Sequence, residues 1–215
     1  MEPVFDALTR EFERFYLDLP GMGRSIPGFV RDGDDCLEVL HGFMEDVVGE
    51  NEILLVGNSF GGLLSMGLAK QWGAMVSGMI LLAPATGCKE RTLPQSPRRT
   101  MDSEFFYSLK KEEQEAFAMC DACLTKEAFK HYQTYIYPAV GDNKDNEFLQ
   151  HVLKGEIAWD VHKEKNSYQF KKPVLCLVGR EDTCVGYQDQ FEVLDHYPNA
   201  TYLLISGAGH NIWVD

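Results

Sequence analysis

The stretch Ile53-Leu54-Leu55-Val56-Gly57-Asn58-Ser59-Phe60-Gly61-Gly62 decides how the rest of the 215-residue chain is read. Four apolar residues of strand type run into a Gly-x-Ser-x-Gly turn, and a helical pattern begins at Gly62. A serine on such a turn between strand and helix has the arrangement of a nucleophile elbow. The turn is strained and brings neighbouring backbone close, so its flanking glycines are expected where a Cβ would clash. It lifts the Ser59 hydroxyl above the sheet edge. It also aims helix N-terminal amides, that of Phe60 among them, at a reacting carbonyl. The plain alternative is a Gly-rich strand-to-helix turn with an incidental serine.

Outward from the elbow, short apolar runs recur at residues 14–17, 52–56, 78–82, 174–178 and 201–205. The middle three have near-continuous apolar cores, as strands buried on both faces of a parallel sheet require. Amphipathic stretches at 35–48, 62–72 and 188–196 lie between them. Strands alternating with helices of that length predict βαβ units and an α/β fold with a mostly parallel sheet flanked by helices. The alternation breaks once, from residue 86 to 172. There, helical patterns at 103–123, 126–137 and 146–154 are punctuated by Pro94, Pro97, Pro138 and Gly141. The expected organisation is a core of residues 1–85 and 173–215, with 86–172 inserted between two strands as a helical lid. A separate domain is the alternative, but both ends of the insertion attach to neighbouring strands.

A serine hydroxyl is a poor nucleophile without a base to take its proton and an acid to orient that base. Of the histidines at 41, 131, 151, 162, 196 and 210, five lie in helical patterns. Only His210 follows a strand, in the small-residue loop Ser206-Gly207-Ala208-Gly209-His210, which lets an imidazole reach across to the elbow. The acid is expected after the preceding strand, where Gly179-Arg180-Glu181-Asp182 follows at once and offers two carboxylates. Asp189 and Asp195 fall in the next helical pattern and read as solvated charges.

Composition bounds the function. Lys+Arg 20 against Asp+Glu 33 gives a net charge of −13, which repels phosphate backbones and anionic lipid heads and argues against nucleic-acid or membrane partners. The longest apolar runs are far shorter than the ~20 residues a membrane helix needs. Glu2, Asp6, Glu11 and Glu13 stand where a signal peptide requires a basic start, so a cytoplasmic location is expected. The six cysteines (36, 88, 120, 123, 176 and 184) are scattered. Cys120 and Cys123 form a lone C-x-x-C with no second pair to complete a metal set, so they read as helical thiols.

Taken in order, the motifs resemble the α/β-hydrolase superfamily, in its lid-bearing group of serine esterases, acyltransferases and carbon–carbon hydrolases. The matching segments are Asp18-Leu19-Pro20-Gly21-Met22-Gly23-Arg24-Ser25, the Ser59 elbow, Leu82-Ala83-Pro84, Gly179-Arg180-Glu181-Asp182 with Val185-Gly186-Tyr187, and Gly207-Ala208-Gly209-His210-Asn211. The insertion matches only in position and helical character. The resemblance implies a Ser59–His210–Asp182 triad, with Asp182 preferred over Glu181, and the Phe60 amide as an oxyanion donor. It gives Asp18 a structural turn role. It also implies that strands and a His-Gly loop before residue 1, and a helix after residue 215, are missing. On that reading the chain is truncated at both ends, and the lost second oxyanion donor would lower the rate by ~10²–10³.

The expected function is hydrolysis of a carboxylic ester or related acyl bond of a small molecule through an acyl-enzyme, with no metal or organic cofactor. Phe105, Phe106, Tyr107, Phe117, Tyr132 and Tyr135 are candidates for an apolar acyl pocket, although packing of the lid onto the body is the stronger reading. The alternatives are carbon–carbon hydrolysis of a ring-cleavage dienoate, which the Gly-Asn-Ser-Phe-Gly-Gly wording resembles, or a binding protein that has lost catalysis. Dehalogenases and soluble epoxide hydrolases carry Asp where this chain has Ser59. Substrate-binding residues and oligomeric state are not legible in the sequence.

Overall fold

A computed structural model describes residues 5, 12–87, 90–140, 147–153 and 168–215. Its centre is a four-stranded, wholly parallel sheet of β1 (Ile53–Asn58), β2 (Val76–Leu82), β5 (Val174–Gly179) and β6 (Ala200–Ile205), in the order β1-β2-β5-β6. Helix α1 (Gly33–Phe43) precedes β1, and α2 (Phe60–Trp72) carries the chain from β1 to β2. The Asp32 side chain caps α1 by accepting from the Asp35 amide at 3.0 Å. The helix continues as a π-helical turn, Met44–Val48, that ends at Gly49.

One sheet face forms the main core. Leu37, Leu40, Leu63, Met66, Met79, Val174, Cys176 and Val178 are buried together there. Gly67 on α2 makes room for Leu37, whose methyl group would stand 2.8 Å from a Cβ added at that position. The other face carries Leu54, Ile80, Leu175 and Thr201, which line a groove with Phe12; on the same face Leu203 is 47% exposed.

The four apolar runs from 52 to 205 form strands, each within two residues of its expected limits. Residues 14–17 do not. Arg14 is half-buried, residues 15–17 are exposed, and all four belong to no strand, because β1 pairs only with β2 among the described residues and offers them no ladder. Helices α1, α2 and α8 (Asp189–Val193), the last followed by the 3₁₀ turn Leu194–His196, take the places expected for 35–48, 62–72 and 188–196.

Between the adjacent strands β2 and β5, the chain forms α3 (Ser103–Ser108), α4 (Lys111–Cys120), α5 (Lys126–Tyr135), α6 (Tyr137–Val140) and α7 (Glu147–Leu153). It also forms two short strands the sequence did not announce, β3 (Thr100–Met101) and β4 (Cys123–Leu124), paired in parallel. The expected 103–123 helix is therefore two helices and a strand, broken where Leu109 turns to extended backbone. Phe106, Phe117, Phe129 and Tyr132 pack on one another and on Val214 in a second small core. Tyr107 and Tyr135 stay exposed, at 68% and 41%. The opening segment 1–4, Cys88 and His162 lie outside the described residues.

Candidate active site

Ser59 sits at the end of β1 with φ +52° and ψ −118°, in the region that side-chain-bearing residues rarely occupy. Such a conformation persists only where its surroundings over-determine it. The Ser59 amide donates to the Leu82 carbonyl at 3.0 Å, and its own carbonyl accepts from the Ala85 amide at 2.9 Å. Asn58 adds a side-chain bond to the Leu82 carbonyl at 2.9 Å. A Cβ at Gly57 would stand 2.3 Å from the Gly61 carbonyl oxygen, and one at Gly62 would stand 2.7 Å from the Pro84 Cβ. Gly61 differs from the sequence expectation, because a Cβ there meets nothing within 4 Å. Ser59 holds the N-cap position of α2 without a side-chain capping bond, so helix capping does not engage its half-buried hydroxyl. Phe60 opens that helix.

Two strands away, the ends of β5 and β6 are pressed together. A Cβ at Gly179 would fall 2.0 Å from the Gly209 carbonyl oxygen, so these loops tolerate no side chain between them. Asp182 is fully buried. Its Oδ1 accepts from the Cys184 and Val185 amides at 2.7 and 2.9 Å, and its Oδ2 meets His210 Nδ1 at 2.8 Å. Glu181 turns elsewhere: its Oε2 accepts from the Arg98 amide at 2.7 Å, and its own amide donates to the Ala208 carbonyl. The geometry thus brings Asp182 and His210 together and places Ser59 on the same sheet edge. Asp18 accepts from the Arg24 amide at 3.0 Å, as a turn residue does. Asp189 is no bare charge, since it accepts from the Thr92 amide at 2.8 Å.

Several residues at this edge escaped sequence reasoning. Cys120 bonds Cys184 as a disulfide, which corrects the reading of Cys120 as a helical thiol, while Cys123 stays a thiol but lies in β4 rather than in a helix. The partner lies 64 positions away, beyond the reach of any spacing rule. Asp182, Cys184 and His210 form one group of potential metal ligands within 4.8 Å, but the sulfur is bonded to Cys120 and the other two bond each other. Gln190 is buried and donates to the Pro84 and Val185 carbonyls at 3.0 and 3.3 Å, tying the elbow side to the acid turn. Asp121, 2% exposed, accepts from the Asn211 side chain at 3.1 Å. Burial, and then the nearby Asp215 charge, push its carboxyl up to about 7. Burial also raises Asp215, against the opposing pull of three backbone amides.

The profile of the serine aminopeptidase S33 family matches residues 1–215. No curated protein matches the chain. Among solved structures, an α/β superfamily hydrolase from Oenococcus oeni PSU-1 is similar at 27% identity and a TM-score of 0.83, over 98% of this chain and 79% of that one. A serine hydrolase from the polyaromatic-hydrocarbon-degrading bacterium Cycloclasticus zankles shares 18% identity with a TM-score of 0.62, over 91% and 72%. A monoacylglycerol lipase from Paleococcus ferrophilus shares 18% with a TM-score of 0.57, over 90% and 73%. The last two speak for the fold alone. The chain belongs to the serine aminopeptidase S33 family and is an enzyme of the α/β-hydrolase fold.

Proposed function

We propose that this α/β hydrolase cleaves a carboxylic ester or related acyl bond of a small molecule, with Ser59 as nucleophile, His210 as base and Asp182 as its orienting acid. The observation that carries the reading is the 2.8 Å contact between buried Asp182 and His210, on the edge where the strained Ser59 elbow stands. An ionised carboxylate only accepts hydrogen bonds, so His210 donates from Nδ1 and keeps Nε2 as an acceptor. Nε2 takes the Ser59 proton as Oγ attacks the carbonyl carbon, and returns it to the leaving group. Asp182 steadies the imidazolium without leaving its two amides. The Phe60 amide at the start of α2 donates to the developing oxyanion. Water then enters by the same route and releases the acid, restoring Ser59.

Residues 86–172 act in this reading as a lid over a core of residues 1–85 and 173–215. Their insertion between the adjacent strands β2 and β5, and the bond from the His210 amide to the Cys120 carbonyl at 2.7 Å, support that role. No helix among the described residues is long and apolar enough to cross a membrane. Membership of the serine aminopeptidase S33 family supports cleavage of an acyl bond.

The test is labelling with a fluorophosphonate alongside hydrolysis of a p-nitrophenyl ester and of a ring-cleavage dienoate. We expect labelling and ester turnover, both abolished in Ser59→Ala with the fold retained. A dienoate turned over in preference to the ester would move the reaction to carbon–carbon cleavage. An unlabelled, folded parent chain would leave only a binding role.

A further inference from the structure

We infer that Asp215 is a positioning residue for His210, fastening the loop that carries the imidazole to the inserted segment; this rests on the triad reading above. The Asp215 carboxylate divides its two oxygens between two parts of the molecule. Oδ1 accepts from the Ala122 and Cys123 amides at 2.9 and 2.7 Å, where α4 gives way to β4. Oδ2 accepts from the Gly209 amide at 2.5 Å, one residue before His210.

The surroundings make this tether specific. A Cβ at Gly209 would stand 2.5 Å from the Cys120 carbonyl oxygen, so the loop is already seated against the inserted backbone. The His210 amide completes the seat by donating to that same carbonyl at 2.7 Å. On the other side of the imidazole-bearing residue, Asn211 donates to Asp121 at 3.1 Å. His210 therefore has its own amide fixed by Cys120, the Gly209 amide before it fixed by Asp215, and its ring fixed by Asp182. A carboxylate suits the task because three N–H groups converge on it. Asparagine keeps an oxygen for Ala122 and Cys123 but turns an NH₂ toward the Gly209 N–H, donor against donor.

The experiment compares Asp215→Asn and Asp215→Glu with the parent in p-nitrophenyl acetate turnover, fluorophosphonate labelling rate and thermal unfolding. Displacing the base lowers kcat without weakening substrate binding. We expect Asp215→Asn to lose about 10- to 100-fold in kcat and in labelling rate, with KM held within about twofold. Asp215→Glu, which keeps the charge and both acceptors, recovers most of that loss. Asp215→Asn with parental kcat and labelling rate overturns the inference, as does a loss seen in KM alone. If Asp215→Asn does not fold, Asp215→Ser decides, because one short hydroxyl cannot serve the Gly209 amide and the Ala122 and Cys123 amides together: a kcat below the parent at an unchanged unfolding temperature supports the tether, and a parental kcat overturns it. A parent chain that takes no label at all refutes the triad instead, so the two failures are told apart.

Discussion

Ser59 is held by its immediate neighbourhood: Leu82, Ala85, and the close approach of Gly57 to Gly61 and of Gly62 to Pro84. The ties to the His210 loop come instead from Cys120, Asp182 and Asp215. The first is a strained backbone device held within one strand–helix–strand unit, residues 57–85. The second is assembled from the inserted segment, the β5 turn and the end of the described chain. One sheet edge thus carries the proposed nucleophile, positioned by turn geometry, and the proposed base, positioned by hydrogen bonds from three separate segments. The lesson is that such a site has two separate ways to fail.

Replacing Asp182 tests the assembled half most severely. Asp182→Asn is expected to lower kcat by roughly 10⁴-fold, because an amide presents the wrong partner to His210 Nδ1. Glu181→Gln should leave kcat within a fewfold, since its carboxylate serves the Arg98 amide. Equal losses in the two variants would erase the distinction drawn between these neighbours.

The local half is probed by its glycines. Gly57→Ala forces a methyl group against the Gly61 carbonyl oxygen and should cost about 3 kcal/mol or more, lowering the unfolding temperature by roughly 6–12 °C. Gly61→Ala, with open space before it, should stay within about 1 kcal/mol of the parent and on helix propensity even stabilise. A pair of variants with matching melting curves would mean that the close approach does not hold the elbow.

The smallest expected effect is on pH dependence. Asp121 has its carboxyl raised from 3.8 to about 7, first by burial and then by Asp215, with the Asn211 amide pulling the other way. Between those values the folded chain binds a proton that the unfolded chain has released. Stability from this group is therefore full below about pH 4, falls as pH rises toward 7, and changes little above. Asp121→Asn should flatten that slope by an amount on the order of 5 °C in unfolding temperature between pH 5 and 8. The raised Asp215 carboxyl leaves a residual slope of the same sign. An unchanged slope in the variant would remove Asp121 from the account.

The same contrast explains how much was legible in the sequence. The strands, the elbow and the order of Ser59, Asp182 and His210 could be read because each announces itself within a few residues, as an apolar run, a Gly-x-Ser-x-Gly turn or a small-residue loop. The expected strand at residues 14–17 has the apolar character of a strand but no ladder partner in the sheet, a gap that the family resemblance itself implies. Asp215, Gln190 and the Cys120–Cys184 bond gave no signal because each reaches a partner dozens of positions away: Ala122 and Cys123 for Asp215, Pro84 for Gln190. The β3–β4 pair is only two residues long on each side, too short to show an alternation. The aromatic residues of the insertion were visible, but their mutual packing, rather than the lining of a pocket, depends on helix directions that residue spacing does not encode.

The placement of the insertion has a bearing on biosynthesis. Met79 in β2 pairs with Val174 in β5, so a growing chain must deliver the whole of residues 83–173 before the middle of the sheet can close. Until then β1 and β2, joined through α2, have only each other among the described strands. Contacts so distant along the chain slow closure and lengthen the exposure of apolar strand surface. Emergence from the ribosome is therefore the stage at which this molecule is most exposed to misassociation, and a shortened insertion should make it fold faster.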